Sequence, residues 1–181
     1  MLSPVSSKRM SRSDLTKLIK ADAAANRSNA KGFAVVVSYR VAHWATGKAL
    51  WIRLPLVILH RLLTEVLLGV EIPARVEAGP GLQVWHCTGL VVHADTKIGT
   101  DVILRHNTTI GALGDHDDGH APTIGDRVSV GTGAIILGEI TIGDDASIGA
   151  GAVVIHDVPA GATAVGNPAR ILDRSNTQKR S

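Results

Sequence analysis

The side chains best suited to moving protons in this sequence are its histidines, and two segments place them beside other reactive groups. His86 stands between a tryptophan and a cysteine, in Trp85-His-Cys-Thr-Gly89. A second group fills a glycine-rich stretch further along the chain: Asp115, His116, Asp117, Asp118 and His120. Because an imidazole has an ordinary pKa of about 6.5, either segment could supply a general base near neutral pH.

Other roles for these residues can be weighed from chemistry alone. Cys87 would need a lowered thiol pKa to act as a nucleophile, and neighbours along a strand point to opposite faces, so we exclude it. The acids around His116 and His120 could suggest a metal, but closely spaced loop acids are more often solvated, and we expect no metal. His106 either faces a substrate cleft or lies on an ordinary surface, and the sequence leaves both open.

The elements that must position these residues are read from a six-residue repeat of aliphatic side chains. In the longest column, an aliphatic residue occupies six consecutive positions of the period: Ile124, Val130, Ile136, Ile142, Ile148 and Val154. A second column lies four residues further on: Val128, Ala134, Ile140, Ala146, Ala152 and Val158. Such a period is typical of a parallel β-helix, in which three short strands and three tight corners close each triangular coil. An α-helix or a flat strand would require a different spacing of apolar residues.

The repeat fails at two places, and these hold the candidate histidines. Between Ile110 and Ile124 the polar, glycine-rich residues 111–123 indicate a loop that leaves the coil. Earlier, Leu82 and Val92 belong to different registers, and His86 lies inside that slip. Loops on rigid scaffolds often carry function, so we expect the site at these two irregularities.

Composition sets the remaining limits on this chain of 181 residues. Hydrophobic residues make up 45% and aromatics only 3%, which suits a narrow aliphatic core, and the net charge of +3 lacks the dense basic clusters of nucleic-acid binding. One cysteine excludes an intrachain disulfide. The start of the chain lacks the pattern of a secretory signal, so we expect a cytoplasmic protein.

The pattern divides the chain into four parts. We predict a polar lead with a short helix over residues 1–30, a helical segment over 31–70, the β-helix over 71–159, and a terminal segment and tail over 160–181. Leu54, Ile58, Leu62, Val66 and Val70 are spaced four apart, which predicts the ridge of a packed helix. Charged residues interrupt this stretch, so we expect peripheral membrane contact at most.

Several motifs resemble those of the hexapeptide-repeat acyltransferases: the period, the loop and the ending Val165-Gly-Asn-Pro-Ala-Arg-Ile171. Gly69-Val-Glu-Ile72, Trp85-His-Cys-Thr-Gly-Leu-Val-Val92 and Ile148-Gly-Ala-Gly-Ala-Val-Val154 are similar to the serine O-acetyltransferase branch. Ser38-Tyr-Arg-Val-Ala-His43, Leu54-Pro-Leu-Val-Ile58 and Leu62-Leu-Thr-Glu65 resemble the acetyltransferases of exopolysaccharide gene clusters, of the colanic-acid type. The resemblance covers most of residues 33–172. It implies a left-handed parallel β-helix, a homotrimer with active sites between neighbouring prisms, and acetyl-CoA as co-substrate.

The resemblance also implies roles for particular residues. The family's catalytic histidine falls on His86, and its acidic partner, fifteen residues upstream, falls on Glu71, where serine acetyltransferases usually have Asp. A second family histidine falls near His120, which here precedes Ala-Pro and is off by one position. Trp85 replaces an Asp that holds the ammonium group of serine, which argues against serine as the acceptor. We assign Trp85, His106 and His120 to substrate binding.

The chemistry expected of this dyad is general-base catalysis. An alcohol is a weak nucleophile, so His86 would remove its proton while Glu71 held the tautomer of the imidazole. Small residues admit pantetheine to a narrow groove, so we expect Gly131, Gly133, Gly149 and Gly151 to contact the co-substrate through their backbone. Arg170 could bind a phosphate of CoA or be an ordinary surface arginine.

The sequence therefore predicts an acetyl-CoA-dependent O-acetyltransferase that acts on a sugar of an exopolysaccharide or its precursor, in the cytoplasm or at the inner face of the membrane. Serine O-acetylation is the nearest rival, and a non-catalytic β-helix scaffold is another. A third, a β-helix of the carbonic-anhydrase kind, would need three histidines around zinc.

Overall fold

The computed structural model describes residues 10–114 and 120–172, which form a helical segment followed by stacked coils of short strands. Helix α1 covers Arg12–Ala25, α2 covers Ala30–Thr46 and α3 covers Leu50–Arg61. A π-helical segment, Leu62–Leu67, continues α3 to the first strand. Helix α1 starts at a capping box in which Ser11 and Asp14 satisfy each other's backbone N–H groups.

In the described part of the chain, fifteen strands of two or three residues build the three faces of a prism. The first face contains β1 (Val70–Glu71), β4 (Leu90–Val92), β7 (Thr109–Gly111), β10 (Ile135–Leu137) and β13 (Val153–Val154). The second contains β2 (Glu77–Ala78), β5 (Lys97–Ile98), β8 (Thr123–Ile124) and β11 (Thr141–Ile142). The third contains β3 (Gln83–Trp85), β6 (Ile103–Arg105), β9 (Ser129–Val130), β12 (Ser147–Ile148), β14 (Thr163–Val165) and β15 (Arg170–Ile171). All pairs are parallel except that of β14 with β15.

The predicted aliphatic columns fill the inside of this prism, which confirms the β-helix. Every member of the longest column, from Ile124 to Val154, has at most 3% of its surface exposed. The second column is buried too, apart from Ile140, which is partly exposed. Strand β14 stacks on β12 through Ser147 and Thr163, so the coils continue past the expected boundary at residue 159.

The helices close the open end of the prism by satisfying the backbone of its first coil. In the strands, the N–H groups of one coil donate to carbonyls of the next coil, as Gly79 does to Ile98. The strand carbonyls of the first coil therefore need other donors. Side chains of the helical segment supply them at alternate residues: His60 to Ile72, His43 to Ala74, Tyr39 to Val76, Arg40 to Ala78, Asn26 to Leu82 and Asn29 to Val84. The helical segment is thus the structural cap of the β-helix.

A buried ion pair lies at the centre of this cap. Arg40 Nε is 2.8 Å from Asp22 Oδ2, and neither side chain exposes more than 1% of its surface. Asp22 Oδ1 also accepts from the N–H groups of Gly81 and Leu82. Because every charged atom of the pair has a partner, its burial is compensated.

Within a single chain, over the residues that the structure describes, the ridge from Leu54 to Val66 is exposed, so the expected packing of this helix is not found inside the chain. These side chains are about half exposed or more, with Leu54 at 52% and Val66 at 72%, whereas His60 and Thr64 are buried. Val70 is buried in β1 and is not helical. The helix turns its polar capping residues inward because the first coil needs donors, and this leaves the apolar ridge outside. Within the described residues, no helix is both long and apolar enough to cross a bilayer.

Candidate active site

The frame slip predicted between Leu82 and Val92 lies in the corner that joins the third face to the first. Val70 pairs with Leu90, twenty residues on, whereas Val91 pairs with Thr109, eighteen residues on. The two additional residues enlarge the corner His86–Gly89, where His86 and Cys87 both have positive φ angles of 59° and 28°. Consecutive non-glycine residues in this region cost conformational energy, and such strain is concentrated at functional sites.

This corner presents His86 to solvent and turns Cys87 into the core. The His86 side chain is exposed, whereas Cys87 is completely buried. Burial raises the pKa of the Cys87 thiol above its ordinary value. A buried thiol that resists ionisation is not a nucleophile, which agrees with the exclusion made from sequence.

Two aromatic side chains flank His86. The imidazole of His106 meets it edge to face, with ring centroids 5.7 Å apart, and the Trp85 ring lies 6.3 Å away. His106 Nδ1 is buried and has no hydrogen-bond partner among the described residues. It therefore remains available to a bound molecule, since buried polar atoms are normally paired.

The corners between the third and first faces stack on one another and form an edge that we name the histidine edge. It consists of residues 86–89, 106–108, 131–134 and 149–152 in successive coils. The predicted base and the predicted co-substrate glycines thus share one edge. With about 4.8 Å between coils, roughly 14 Å separates His86 from Gly151.

The four glycines predicted to contact the co-substrate differ in the space that an added Cβ would find. A Cβ on Gly131 would come within 2.5 Å of Ala150 N, and one on Gly149 within 2.7 Å of Val165 Cγ1, so these two allow the coils to stack closely. Gly133 and Gly151 have φ angles of +68° and +66°, and a Cβ there would meet no heavy atom within 4 Å. Open space therefore lies beside Gly133 and Gly151.

Glu71 lies near the start of the histidine edge but faces the helices. It is exposed on β1 and lines a cleft of about 430 Å³ with Arg53, Arg61 and Arg75. Among the described residues, no hydrogen bond or ion pair joins Glu71 to His86. The pairing of these two residues stays a prediction.

His120 lies on a different edge from His86 within one chain. It lies near the end of the loop between β7 and β8, which joins the first face to the second. Its Nδ1 is 2.6 Å from Glu139 Oε2, and both side chains are exposed. The loop residues Asp115, His116, Asp117 and Asp118 lie outside the described residues. No group of three His, Cys, Asp or Glu side chains in the described ranges could hold a metal.

Two basic residues near the site were missed by the sequence argument. Arg105 pairs in register with Trp85 on the outer side of the third face, where its Nη1 donates to Ser129 Oγ and to the carbonyl of Val130. Lys31 reaches the corner from α2, with its Nζ 3.3 Å from Thr88 Oγ1. Arg105 could have been found from its place directly before His106, but no local signal marks Lys31. Arg170 is exposed on β15, beyond the last coil of the edge.

Comparison with known proteins agrees with this architecture. Residues 121–156 match the family described as bacterial transferase hexapeptide (six repeats). The chain is 36% identical over 157 residues to the putative colanic acid biosynthesis acetyltransferase WcaB of Escherichia coli (strain K12). The matched segment covers 83% of this chain and 96% of that protein. A probable serine acetyltransferase 5 of Oryza sativa subsp. japonica is 40% identical over 150 residues, which cover 82% of this chain but only 43% of that protein. The chain therefore spans less than half the length of that plant relative.

Solved structures share the fold as well as the sequence. The soybean serine acetyltransferase apoenzyme superposes with a TM-score of 0.80 at 37% identity, over 87% of this chain and 69% of that one. A serine acetyltransferase from Brucella abortus strain S19, in complex with coenzyme A, superposes with a TM-score of 0.80 at 28% identity, over 89% of this chain and 68% of that one. The stacked coils are thus the left-handed β-helix that the motifs implied, and the chain belongs to the hexapeptide-repeat acetyltransferases.

Proposed function

We propose that this protein transfers an acetyl group from acetyl-CoA to a hydroxyl group, with His86 as the general base. The observation that carries the proposal is the histidine edge. At its upper end, the end nearest the helices, an exposed imidazole lies beside a second imidazole. The corners with open space at a glycine follow in the later coils.

For acetyl transfer from a thioester to a hydroxyl group, the protein needs to position the two substrates and to transfer a proton. Acetyl-CoA supplies an activated thioester, so the acceptor oxygen can attack it directly. His86 accepts the hydroxyl proton as the new C–O bond forms and returns a proton to the departing sulfur. Glu71 is assigned to orient the imidazole, and the unpaired Nδ1 of His106 is a ready contact for a substrate oxygen.

The co-substrate is assigned to the lower part of the histidine edge. The open space at Gly133 and Gly151 suits a thin chain such as pantetheine, whereas Gly131 and Gly149 contribute by keeping the coils close. Arg170, exposed at the far end, is placed to contact a phosphate group. The Brucella serine acetyltransferase is a complex with coenzyme A, which supports the same ligand here.

A homotrimer would complete the site. His86 is exposed in a single chain, and acyl transfer is favoured where the site excludes water. The edges that carry His86 and His120 border the same face of the prism. A neighbouring prism packed against that face would bring its own His120 towards His86, and the substrate role of His120 depends on this assembly.

The acceptor we propose is a sugar of an exopolysaccharide or its precursor. Trp85 offers an apolar ring beside His86, where a serine-binding enzyme is expected to carry an acid. The match to a protein named for colanic acid biosynthesis supports a glycan, and it extends over 96% of that protein. Serine is the second candidate, favoured by the named serine acetyltransferases among the relatives. We place the reaction in the cytoplasm, where acetyl-CoA is available.

Release of free thiol from acetyl-CoA tests the reaction and the acceptor together. The purified protein is offered serine, simple sugars and extracted exopolysaccharide in parallel. We expect thiol release with the glycan or sugar and little with serine. Rapid turnover with serine would refute the sugar, and a lack of both turnover and CoA binding would favour a non-catalytic scaffold.

A further inference from the structure

The outer side of α3 and of the π-helical segment carries an exposed apolar surface. Nine large apolar side chains between Leu50 and Leu67 have 39% to 77% of their surface exposed. We name these side chains the α3 surface. Trp51 at 77%, Val66 at 72% and Leu67 at 71% are its most exposed members. Soluble chains rarely expose so many large apolar groups together, which marks a place of contact.

The α3 surface cannot be buried by a small rearrangement within this chain. The opposite side of the same helix is fixed to the β-helix, because His60 Nε2 donates to the carbonyl of Ile72 and Thr64 is buried. His60 Nδ1 also accepts from the hydroxyl of Ser38 on α2. A groove of about 390 Å³ between α2 and α3, lined by Phe33, Leu59 and other apolar residues, continues the surface inward.

Basic residues border one side of this apolar surface, and the helical segment as a whole has an excess of them. Residues 10–70 carry nine Lys and Arg against three Asp and Glu, whereas the described residues between 71 and 172 carry five against nine. Arg53, Arg61 and Arg75 line the cleft at the border of the α3 surface. Arg61 and Arg75 are 65% and 73% exposed and form surface ion pairs with Glu65 and Asp95. Such exposed pairs contribute little stability and can exchange partners with a phosphate. The helical end of the molecule is therefore both apolar and strongly positive.

We propose that the α3 surface lies on the headgroup region of a bilayer that contains anionic phospholipid. An apolar helix face flanked by Lys and Arg is the pattern of a helix lying in the membrane interface, and arginines at its border reach the phosphates. Tryptophan suits this boundary because its ring is apolar and its N–H is polar. The proposal goes beyond acetyl transfer, because lipid binding is measured without any substrate.

A second copy of the chain in a twofold contact fits this surface less well. Such a contact pairs a patch with itself, so two copies would bring the same basic residues together around the apolar ones. An anionic bilayer instead supplies the opposite charge together with an apolar layer. In the homotrimer proposed above, a neighbouring copy would meet the α3 surface through a different patch, and the oligomeric state of the variants below decides between that copy and the lipid.

Cosedimentation with vesicles tests the proposal directly. We expect the full-length protein to sediment with vesicles of phosphatidylglycerol and phosphatidylcholine in equal parts, and at least tenfold more weakly with pure phosphatidylcholine. High salt should weaken the binding because screening acts on exposed charges. Equal binding to both kinds of vesicle, or to neither, would overturn the proposal.

Matched variants assign the binding to this surface. Trp51→Glu combined with Leu54→Glu should abolish sedimentation, whereas Leu172→Glu, at an apolar side chain that is 45% exposed beyond the β-helix, should not. Arg53→Ser should weaken binding more than Lys97→Ser on the second face. Circular dichroism and sedimentation velocity are recorded for each variant. Binding that survives the Trp51 and Leu54 changes refutes the surface, and a fall in oligomeric state with those changes shows that another copy of the chain covers it.

Discussion

The imidazole of His86 lies one coil before that of His106, and the two rings meet edge to face with 5.7 Å between their centroids. The first coil is twenty residues long, and the two histidines are twenty residues apart, so the register of the coils brings them together. One ring is exposed and the other has a buried, unpaired nitrogen. This pair defines the upper end of the histidine edge.

Replacing His86 by Ala should remove almost all acetyl transfer. Loss of a general base lowers the rate about 10²- to 10⁴-fold, while CoA affinity should change little because the co-substrate is assigned to lower coils. The rate is measured by thiol release and the affinity by calorimetry. His156→Ala, at an exposed histidine between the first and second faces, is the matched control. A His86→Ala variant that keeps its activity would remove His86 from the role of base.

Replacing Glu71 by Gln should lower the rate less than the loss of His86. The amide cannot stabilise the imidazolium, but the base itself remains, so we expect a loss on the order of tenfold. The dependence of kcat on pH distinguishes this role from a merely structural one, because the apparent pKa of the base should fall when the carboxylate is lost. Unchanged rate and pH profile would refute the dyad.

Replacing Trp85 by Ala should raise the KM for a sugar acceptor on the order of tenfold, the equivalent of roughly 1.4 kcal/mol of lost contact. Trp85 touches neither the thioester nor the proton in the proposed reaction, so kcat should change less than KM. Trp85→Phe keeps an apolar ring and should recover most of the affinity. If the Ala and Phe variants have the KM of the unchanged protein, Trp85 does not contact the acceptor.

Alanine substitutions at two glycines separate the co-substrate path from coil stacking. Gly133→Ala should cost about 1–2 kcal/mol of stability, because alanine is strained at a φ of +68°. Its Cβ would also project into the open space assigned to acetyl-CoA, so the KM for acetyl-CoA should rise severalfold. Gly161 has the same φ of +68°, and a Cβ there would also meet no heavy atom within 4 Å, but it lies on another edge of the prism. Gly161→Ala should therefore lower the stability without changing the KM for acetyl-CoA.

Gly131→Ala is the contrasting case, since its Cβ would meet Ala150 N at 2.5 Å and should destabilise the protein more than Gly133→Ala does. Stability is measured by urea unfolding at one protein concentration. An unchanged KM for acetyl-CoA in Gly133→Ala would exclude this part of the edge as the path of the co-substrate.

The stability of the protein should fall in mild acid because of His60. Burial lowers the pKa of His60 below its ordinary 6.5, so the unfolded chain takes up the proton first. The stability that neutral His60 contributes is present in full above about pH 6.5 and is lost as the pH falls through the lowered pKa of the folded state. His60→Gln should flatten this part of the curve of unfolding free energy against pH, whereas the exposed His156→Gln should not. A curve that His60→Gln leaves unchanged would contradict this assignment.

The fold could be predicted from the sequence because its signal is local and repeated. Each strand must point one aliphatic side chain into the core, and the column from Ile124 to Val154 supplies it every six residues. The six-residue period alone therefore indicates the coil. The same regularity made the two failures visible, at His86 and at residues 111–123. Cys87 was excluded as a nucleophile on the expectation of a strand, and the conclusion holds for another reason: His86 and Cys87 lie in a corner, which turns the thiol into the core.

The tertiary structure decided which of these positions meet. The sharing of one edge by His86, His106, Gly133 and Gly151 depends on the register between coils, which hydrogen bonds between distant segments set. The structural roles of His43, His60 and Arg40 depend on the carbonyls of a first coil that begins ten or more residues later in the chain. The exposure of the α3 surface within one chain could not be predicted, because an apolar ridge favours burial, whereas the open end of the prism required hydrogen-bond donors from the same helix.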